Sequence, residues 1–567
     1  MYKGIPASEG IAIGKVLKLE KENPIIDKKQ ISDREIDEQK NQLTQAVELS
    51  KKQLQEIQET SGEVMSAILD AHLMMLEDIE LLGMIHSKIE NEHQDVVSAT
   101  DDSVQFFADM LESLEDEYMK ERAGDMRDIG YRLIMNLLGK EILSLSTLKE
   151  PVIIVADDIT PSDTAQMNKN TVLGFLTNVG GRTSHSAIMA RTLEIPAIVG
   201  LGDISRKVAS GDIVCFDGEE GIVFVHPNEE QLQEFQHRKE IYEQKKLLLE
   251  QYRNKESITP DGHRVEIAAN IGHPKDVNAV NRNGAEGIGL YRTEFLYMDR
   301  ESMPTEEEQF DAYKSVLEEM QNKPVVIRTL DIGGDKKLPY LPLSEEMNPF
   351  LGYRAIRICL DQQEIFKTQL RALLRASVYG NLKIMYPMIS SLEEVRLANA
   401  VLEDCKKELE SEGISYAKFE VGVMIEIPSA ALSADLIASE VDFFSIGTND
   451  LIQYTCAVDR MNEKISSLYN PFHPALLRLI KQVIETAHEH DIWCGICGET
   501  AADKRLIPLY LGMGLDEFSM SAGSIPKARK QIAHLSTAEA KQMLAEVLKM
   551  KTSAEIEAYM NEKTQEI

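Results

Sequence analysis

Positive charge is scarce in this chain: 61 Lys and Arg stand against 94 Asp and Glu over 567 residues, a formal net charge of −33. Binding to nucleic acid or to an anionic membrane depends on cationic side chains, so neither is an expected partner. Cysteine is scarce too, six in all. That is too few for a disulfide framework in so long a chain and points to a reducing cytoplasm. No apolar run is long enough to span a bilayer, and Met1-Tyr2-Lys3-Gly4-Ile5-Pro6 leads into no apolar core of signal-peptide length. Proline is absent from 25 to 150, where only five glycines occur. The rest is ordinary: 43% hydrophobic and 27% charged residues describe a folded soluble protein, and the length calls for two to four domains.

The proline-free stretch has apolar residues at helical spacing, as in Leu69, Leu73, Leu76, Ile79, Leu82 and Met84 around His72. This predicts a helical bundle over 25–145. Residues 31–140 hold 10 basic and 25 acidic side chains, nearly half of the chain's acidic excess. Most of these charges suit a solvated helical surface, while their concentration favours a basic docking partner.

From Pro151 the texture changes to short apolar runs: 152–155, 171–176, 195–200, 212–216 and 221–225. Strands separated by helical patterns predict a small α/β domain. The strand-like opening Gly10–Val16 has no role in a helical bundle and is expected to pair with these later strands. The α/β domain would then comprise 1–24 and 146–228, with the α-helical bundle inserted. A polar stretch free of Gly and Pro, 229–256, reads as an exposed linker helix. Beyond it, over 257–567, eight apolar runs recur: 265–271, 287–291, 325–330, 382–386, 422–427, 443–446, 493–496 and 517–520. Eight strand–helix repeats match a C-terminal (β/α)₈ TIM barrel, with 331–352 as one long loop, so the chain as a whole is a multidomain α/β protein.

Active sites of such barrels lie where the strands end. The residues there are unusually polar: Asn270, Arg292, Arg328, Glu426, Asn449, Asp450, Cys497 and Glu499, with Arg354, Arg357 and Arg460 in the following loops. Guanidinium groups bind phosphate or carboxylate in a bidentate fork, so this set suits a multiply charged anion. The carboxylates Glu426 and Asp450 suit Mg²⁺, which takes a few carboxylates with substrate oxygens and water.

In the α/β domain, Gly180-Gly181-Arg182-Thr183-Ser184-His185-Ser186-Ala187-Ile188-Met189-Ala190-Arg191 reads as a turn, a cap at Thr183 or Ser184, and a helix with His185 in its first turn. The helix dipole disfavours imidazolium there, which leaves a neutral nucleophile, and it would stabilise an attached phosphoryl group. On spacing alone, an ordinary capped or core histidine is the more frequent case.

That segment, with Glu194-Ile195-Pro196-Ala197, resembles the phosphohistidine signature of the phosphoenolpyruvate-utilising enzymes. Asp442-Phe443-Phe444-Ser445-Ile446-Gly447-Thr448-Asn449-Asp450-Leu451 with Gln453-Tyr454 resembles their second signature. Within the family, the whole chain is similar to the Enzyme I group of the bacterial phosphoenolpyruvate:sugar phosphotransferase system. The resemblance implies phosphoryl transfer from phosphoenolpyruvate to His185, then to a histidine of the small carrier HPr. The segments 71–78 and 121–123 are similar to the helical region that docks HPr. By the same resemblance, Arg292, Arg328, Arg354, Asn449, Asp450 and Arg460 would bind substrate. Glu426 and Asp450 would hold Mg²⁺, Cys497 would donate a proton, and Thr164 and Asp125 would orient His185. It further implies a cytoplasmic homodimer paired through the barrel. Ile427 departs from the family, which usually has Thr there, and Cys494 of the Cys494-Gly495-Ile496-Cys497 stretch reads as a barrel side chain. A pyruvate phosphate dikinase would add a large nucleotide-binding domain, for which the helical stretch is too small. A non-catalytic scaffold would have no reason to carry His185, Glu426, Asp450 and Cys497 together.

Overall fold

The structure, a computed structural model, describes residues 1–565 apart from 21–25, 61–62, 114–116, 141, 143–144, 146–147, 169, 182–183, 299, 335, 337 and 463. At 59–60, 63–68, 117–121, 161, 185 and 192 only the backbone is described. The chain forms two compact units, Met1–Lys245 and Lys246–Ile567.

The first unit contains β1 (Tyr2–Lys3), β2 (Ile5–Ser8), β3 (Ile11–Leu19), β4 (Val152–Ala156), β5 (Val172–Thr177), β6 (Ala197–Val199), β7 (Ile213–Asp217) and β8 (Ile222–Val225). They form one mixed sheet in the order β1-β8-β7-β3-β4-β5-β6-β2. β3 pairs in parallel with β4 and antiparallel with β7, so the opening of the chain does join the later strands. Between β3 and β4 run five helices, Ile36–Thr60, Glu63–Leu76, Ile79–Asn91, Val96–Glu112 and Glu117–Leu137. Local chemistry sets two of their starts. Asp78 accepts from the Glu80 and Leu81 N–H groups, and Asp95 from those of Val97 and Ser98, satisfying donors that a helix end leaves unpaired. The helices bury Leu43, Leu54, Leu81, Ile85, Ile89 and Leu133 against one another.

The helix Glu229–Glu250 is exposed along most of its length, with Phe235 buried edge-on against Phe224 at 5.6 Å. It stops six residues short of the polar stretch's end. Arg529, fully buried, donates to the carbonyls of Tyr252 at 2.9 Å and Gly284 at 2.6 Å and to the Ser257 hydroxyl at 3.0 Å. The Tyr252 carbonyl, just past the helix end, is thus satisfied by a side chain.

In the second unit β9 (Glu266–Ile271), β10 (Ile288–Arg292), β11 (Pro324–Arg328), β12 (Asn381–Tyr386), β13 (Glu420–Ile425), β14 (Phe443–Ile446), β15 (Trp493–Ile496) and β16 (Glu517–Met520) close a parallel barrel. Its helices pack around it over a continuous apolar core. Inside the barrel Leu290, Val326, Met385, Met424 and Phe443 form a separate apolar cluster, which Cys497 joins. Among the described residues, no helix is long and apolar enough to cross a membrane.

Candidate active site

His185 opens the helix His185–Leu193, one connection after β5. Ser184 is the N-cap: its hydroxyl accepts from the Ala187 N–H at 3.4 Å and donates to the Gly181 carbonyl at 2.8 Å. Gly180, at φ +111°, makes a turn that a side chain would strain. Ala187 and Ala190 are fully buried against the sheet, which fixes the helix in place. Arg182, Thr183 and the His185 imidazole lie outside the described residues and atoms. The backbone puts His185 at the end of the helix where unpaired N–H groups give a positive potential.

Thr164 is buried in the short helix Pro161–Ala165, which packs against the His185 helix, and its hydroxyl donates to the Thr160 carbonyl at 3.2 Å. Asp125 is on the helix Glu117–Leu137. Its carboxylate lies 3.2 Å from Nε2 of the buried His72 and 3.3 Å from Arg122.

The barrel candidates converge. Arg292, Arg328, Arg354, Glu426, Asn449, Asp450, Arg460 and Cys497 all line one cavity of about 500 Å³ at the C-terminal ends of the strands. Arg357 does not. It donates to the carbonyls of Leu351 and Gly352 at 2.8 Å each and so braces the long loop. Asn270 likewise acts on a neighbour, donating to the Cys497 carbonyl at 3.0 Å and accepting from Ser519 at 2.6 Å.

The cavity is less one-sided in charge than its arginines imply. Glu294, Asp331 and Lys336, which sequence reasoning missed, also line it, and with Glu499 they bring the set to five cations and five carboxylates. Arg328 reaches Glu294 at 2.7 Å and Asp331 at 3.0 Å. Arg354 reaches Asp331 at 2.9 Å and Asp450 at 3.3 Å, while Lys336 lies 2.9 Å from Glu294. Burial opposes ionisation of Glu294 and Asp331, but the adjacent Arg328, with Lys336 and Arg354, outweighs it and holds both carboxyls below the usual range. Arg292 and Arg460 make no ion pair among the described residues, so their charge is available to a ligand. Glu294 and Asp331 stand two and three residues beyond Arg292 and Arg328. Inspecting the first few positions after each strand, rather than the first alone, would have found them.

Asp331 therefore ties two buried arginines together. Asp331→Ala should cost about 3–5 kcal/mol, because it strands buried charge rather than merely deleting a contact. The check is the thermal unfolding midpoint of the second unit, and a shift within the error of an exposed-surface control would refute the coupling.

Glu426 is the opposite case. Burial, then repulsion from Asp450 and Asp331, pushes Glu426 up to about 8 despite the opposing pull of Arg328 and Arg354. Its Oε1 accepts from the Met388 N–H at 2.6 Å. Asp450 Oδ1 is buried without a hydrogen-bond partner among the described residues. Glu426, short of positive charge, and the unpartnered Asp450 Oδ1 are hard oxygen donors that fit a divalent cation. Among the described residues no three His, Cys, Asp or Glu side chains are placed to hold one metal ion, so ligands beyond Glu426 and Asp450 would be substrate oxygens and water. Ile427, the departure noted above, is the N-cap of the helix Pro428–Leu432 with no side-chain cap bond, where a Thr hydroxyl would offer an acceptor.

Burial pushes the Cys497 thiol up to about 11. Cys494, three residues earlier, belongs to the outer core between strands and helices, so the two thiols occupy opposite faces of the barrel wall. His473 caps the helix Pro474–Glu489, its Nδ1 accepting from the Ala475 N–H at 3.2 Å.

Three family models match the chain: PEP-utilising enzyme, N-terminal, over residues 3–122; mobile domain, over 148–221; and PEP-binding domain, over 231–537. The phosphoenolpyruvate-protein phosphotransferase of Staphylococcus carnosus (strain TM300) is 53% identical over 567 residues, covering 99% of each chain. That of Bacillus subtilis (strain 168) is 53% identical over 565 residues, again with 99% of each chain covered. An NMR solution structure of Enzyme I is 45% identical, covering 43% of this chain and 100% of that one, with a TM-score of 0.39. With similarity running through both units at this level, the chain belongs to the PEP-utilising enzyme family.

Proposed function

We propose that this chain is a phosphoenolpyruvate-protein phosphotransferase of the sugar phosphotransferase system. It moves the phosphoryl group of phosphoenolpyruvate to its own His185 and from there to a histidine of the carrier HPr. The observation that carries the barrel half of this reading is one cavity holding two guanidiniums, Arg292 and Arg460, in no ion pair among the described residues, with Glu426, short of positive charge, and the unpartnered Oδ1 of Asp450.

Arg292 and Arg460 bind the phosphate and carboxylate of the substrate. Arg328 and Arg354, already fixed by Asp331, offer rigid N–H groups to the charge that spreads over the transferring phosphoryl. Asn449 completes the wall. Mg²⁺ held by Glu426 and Asp450 would neutralise substrate oxygens, which a cavity of balanced charge cannot do alone. The His185 imidazole, neutral at a helix N-terminus, attacks phosphorus, and the Nτ- or Nπ-linked phosphoryl stays under the same dipole. The Cys497 thiol gives its proton to the enolate carbon of the departing pyruvate. Thr164, in a helix packed against the His185 helix, and Asp125 orient His185.

Since His185 and the cavity belong to different units, the first must visit the second and then present the phosphoryl to the carrier. The acidic bundle is the docking site. Its excess of carboxylates suits a basic-faced carrier, and Met74, Ile79, Phe106 and Met110 are exposed apolar side chains on its helices. All six cysteines are free thiols, in keeping with a cytoplasmic location.

Incubation with ³²P-labelled phosphoenolpyruvate and Mg²⁺ should label the protein, and chelation of the metal should prevent it. The label should pass to HPr, faster at low salt than at high salt. Labelling that ignores chelation, or label that no HPr accepts, would contradict the reading.

A further inference from the structure

The barrel has a second cavity, of about 140 Å³, at the N-terminal ends of its strands, bounded by Glu266, Lys383, Trp493, Asp516 and Glu517 among others. The apolar cluster inside the barrel separates it from the upper one: Leu290 and Met424 border the upper cavity, Val326 the lower.

Its charges are not matched. Lys383 is committed to Glu420, at 2.8 Å, and to the Trp493 ring, 4.3 Å from its centroid. Asp516 is committed to His488 at 2.9 Å and to the Cys494 N–H at 2.8 Å. Glu266 and Glu517 have no cation of their own among these groups. Glu517 is 5% exposed, and its Oε1 has no hydrogen-bond partner among the described residues. A Cβ at Gly289 would stand 1.8 Å from that oxygen, and one at Gly495 2.7 Å from the other, so two glycines keep open the space the carboxylate occupies. Burial pushes Glu266 up to about 7, and burial with Glu266 beside it pushes Glu517 up to about 8, in both cases against a weaker opposing pull from Lys383. Two adjacent carboxylates, one buried and one partly buried, with too little positive charge beside them take up either a proton or a cation.

We propose that this lower cavity binds a hydrated divalent cation between the carboxylates of Glu266 and Glu517. Hard divalent ions accept two carboxylates and fill the remaining positions with water. The volume suits that, since a water takes roughly 30 Å³ and about four would fit. Neither carboxylate belongs to the cavity proposed for phosphoenolpyruvate, so the two sites fill independently.

Trp493 is the only tryptophan in the chain and lines this cavity, so its emission reports on the site directly. Mn²⁺, a paramagnetic quencher, should reduce that emission in the intact protein, and Mg²⁺ or Ca²⁺ should restore it by competition. Glu517→Gln should weaken the Mn²⁺ effect by about tenfold or more, since it removes one of two charged ligands. Glu426→Gln, which alters the upper cavity, should leave the effect intact. Circular dichroism verifies that each variant is folded, and Glu266→Gln carries the same test if Glu517→Gln is not. The proposal is overturned if millimolar Mn²⁺ leaves Trp493 unquenched, which would mean that a proton satisfies the pair. Equal quenching in the Glu517→Gln and Glu266→Gln proteins, or loss of quenching in Glu426→Gln instead, would also overturn it.

Discussion

His185→Ala should acquire no label from phosphoenolpyruvate, a loss on the order of a thousandfold or more. The substitution removes the nucleophile and nothing else. Its backbone is the first residue of a helix whose cap is the Ser184 hydroxyl and whose buried face is Ala187 and Ala190. Alanine suits that position, so the fold should persist, and circular dichroism should match the parent protein. The native label should be acid-labile and base-stable, as expected for a phosphoramidate and not for a phosphoserine. That distinction matters because Ser184 and Ser186 flank the histidine, with hydroxyls 3.1 Å apart. Label surviving in His185→Ala, or a base-labile bond, would move the acceptor to one of those serines and end the proposed assignment.

Cys497→Ala should lower the conversion of phosphoenolpyruvate to pyruvate by about 10²–10⁴-fold, the range expected on removing a general acid. The thiol is suited to donate because burial raises it to about 11, well above its ordinary value. A thiol with a raised pKa keeps its proton throughout the neutral range and loses it only as pH climbs toward 11. Its contribution should therefore stay level from pH 6 to pH 9, provided other groups are allowed for. Its removal should affect the fate of the carbon more than binding. With phosphoenolpyruvate stereospecifically tritiated at its methylene carbon, in deuterated water, the parent protein should deliver deuterium to one face and give a chiral methyl group, whereas Cys497→Ala should release an enolate that water deuterates on both faces. Unchanged turnover with unchanged facial selectivity in that variant would exclude Cys497 as the donor.

The barrel was legible because each strand is a short apolar run ending on a polar residue, and eight such runs match the eight strands of the closed sheet. Glu426, Asn449, Asp450 and Cys497 could be found the same way, lying within four residues of the ends of β13, β14 and β15. The counter-charges were not legible. Asp331 is apparent in sequence only as an acidic residue opening a long loop, and its bonds to Arg328 and Arg354 depend on that loop folding back over the strand ends. The lower cavity was hidden for a related reason. Glu266 and Glu517 are the first residues of β9 and β16, where an acidic side chain ordinarily reaches solvent, and only closure of the barrel brings them together. Cys494 and Cys497 were separable by strand alternation alone, since positions three apart on an extended chain point to opposite faces.

The pairing of β3 with β4 has a consequence for how the polypeptide assembles. β3 ends at Leu19 and its parallel partner begins at Val152, so as the chain leaves the ribosome β3 must wait for a distant strand. The five intervening helices need only near neighbours and can consolidate first, because local contacts form faster than long-range parallel pairing. The helical insertion then acts as a clamp that shortens the effective loop between the waiting strand and its partner. Its acidic surface, whatever it later docks, keeps that early intermediate soluble while three strands remain without neighbours.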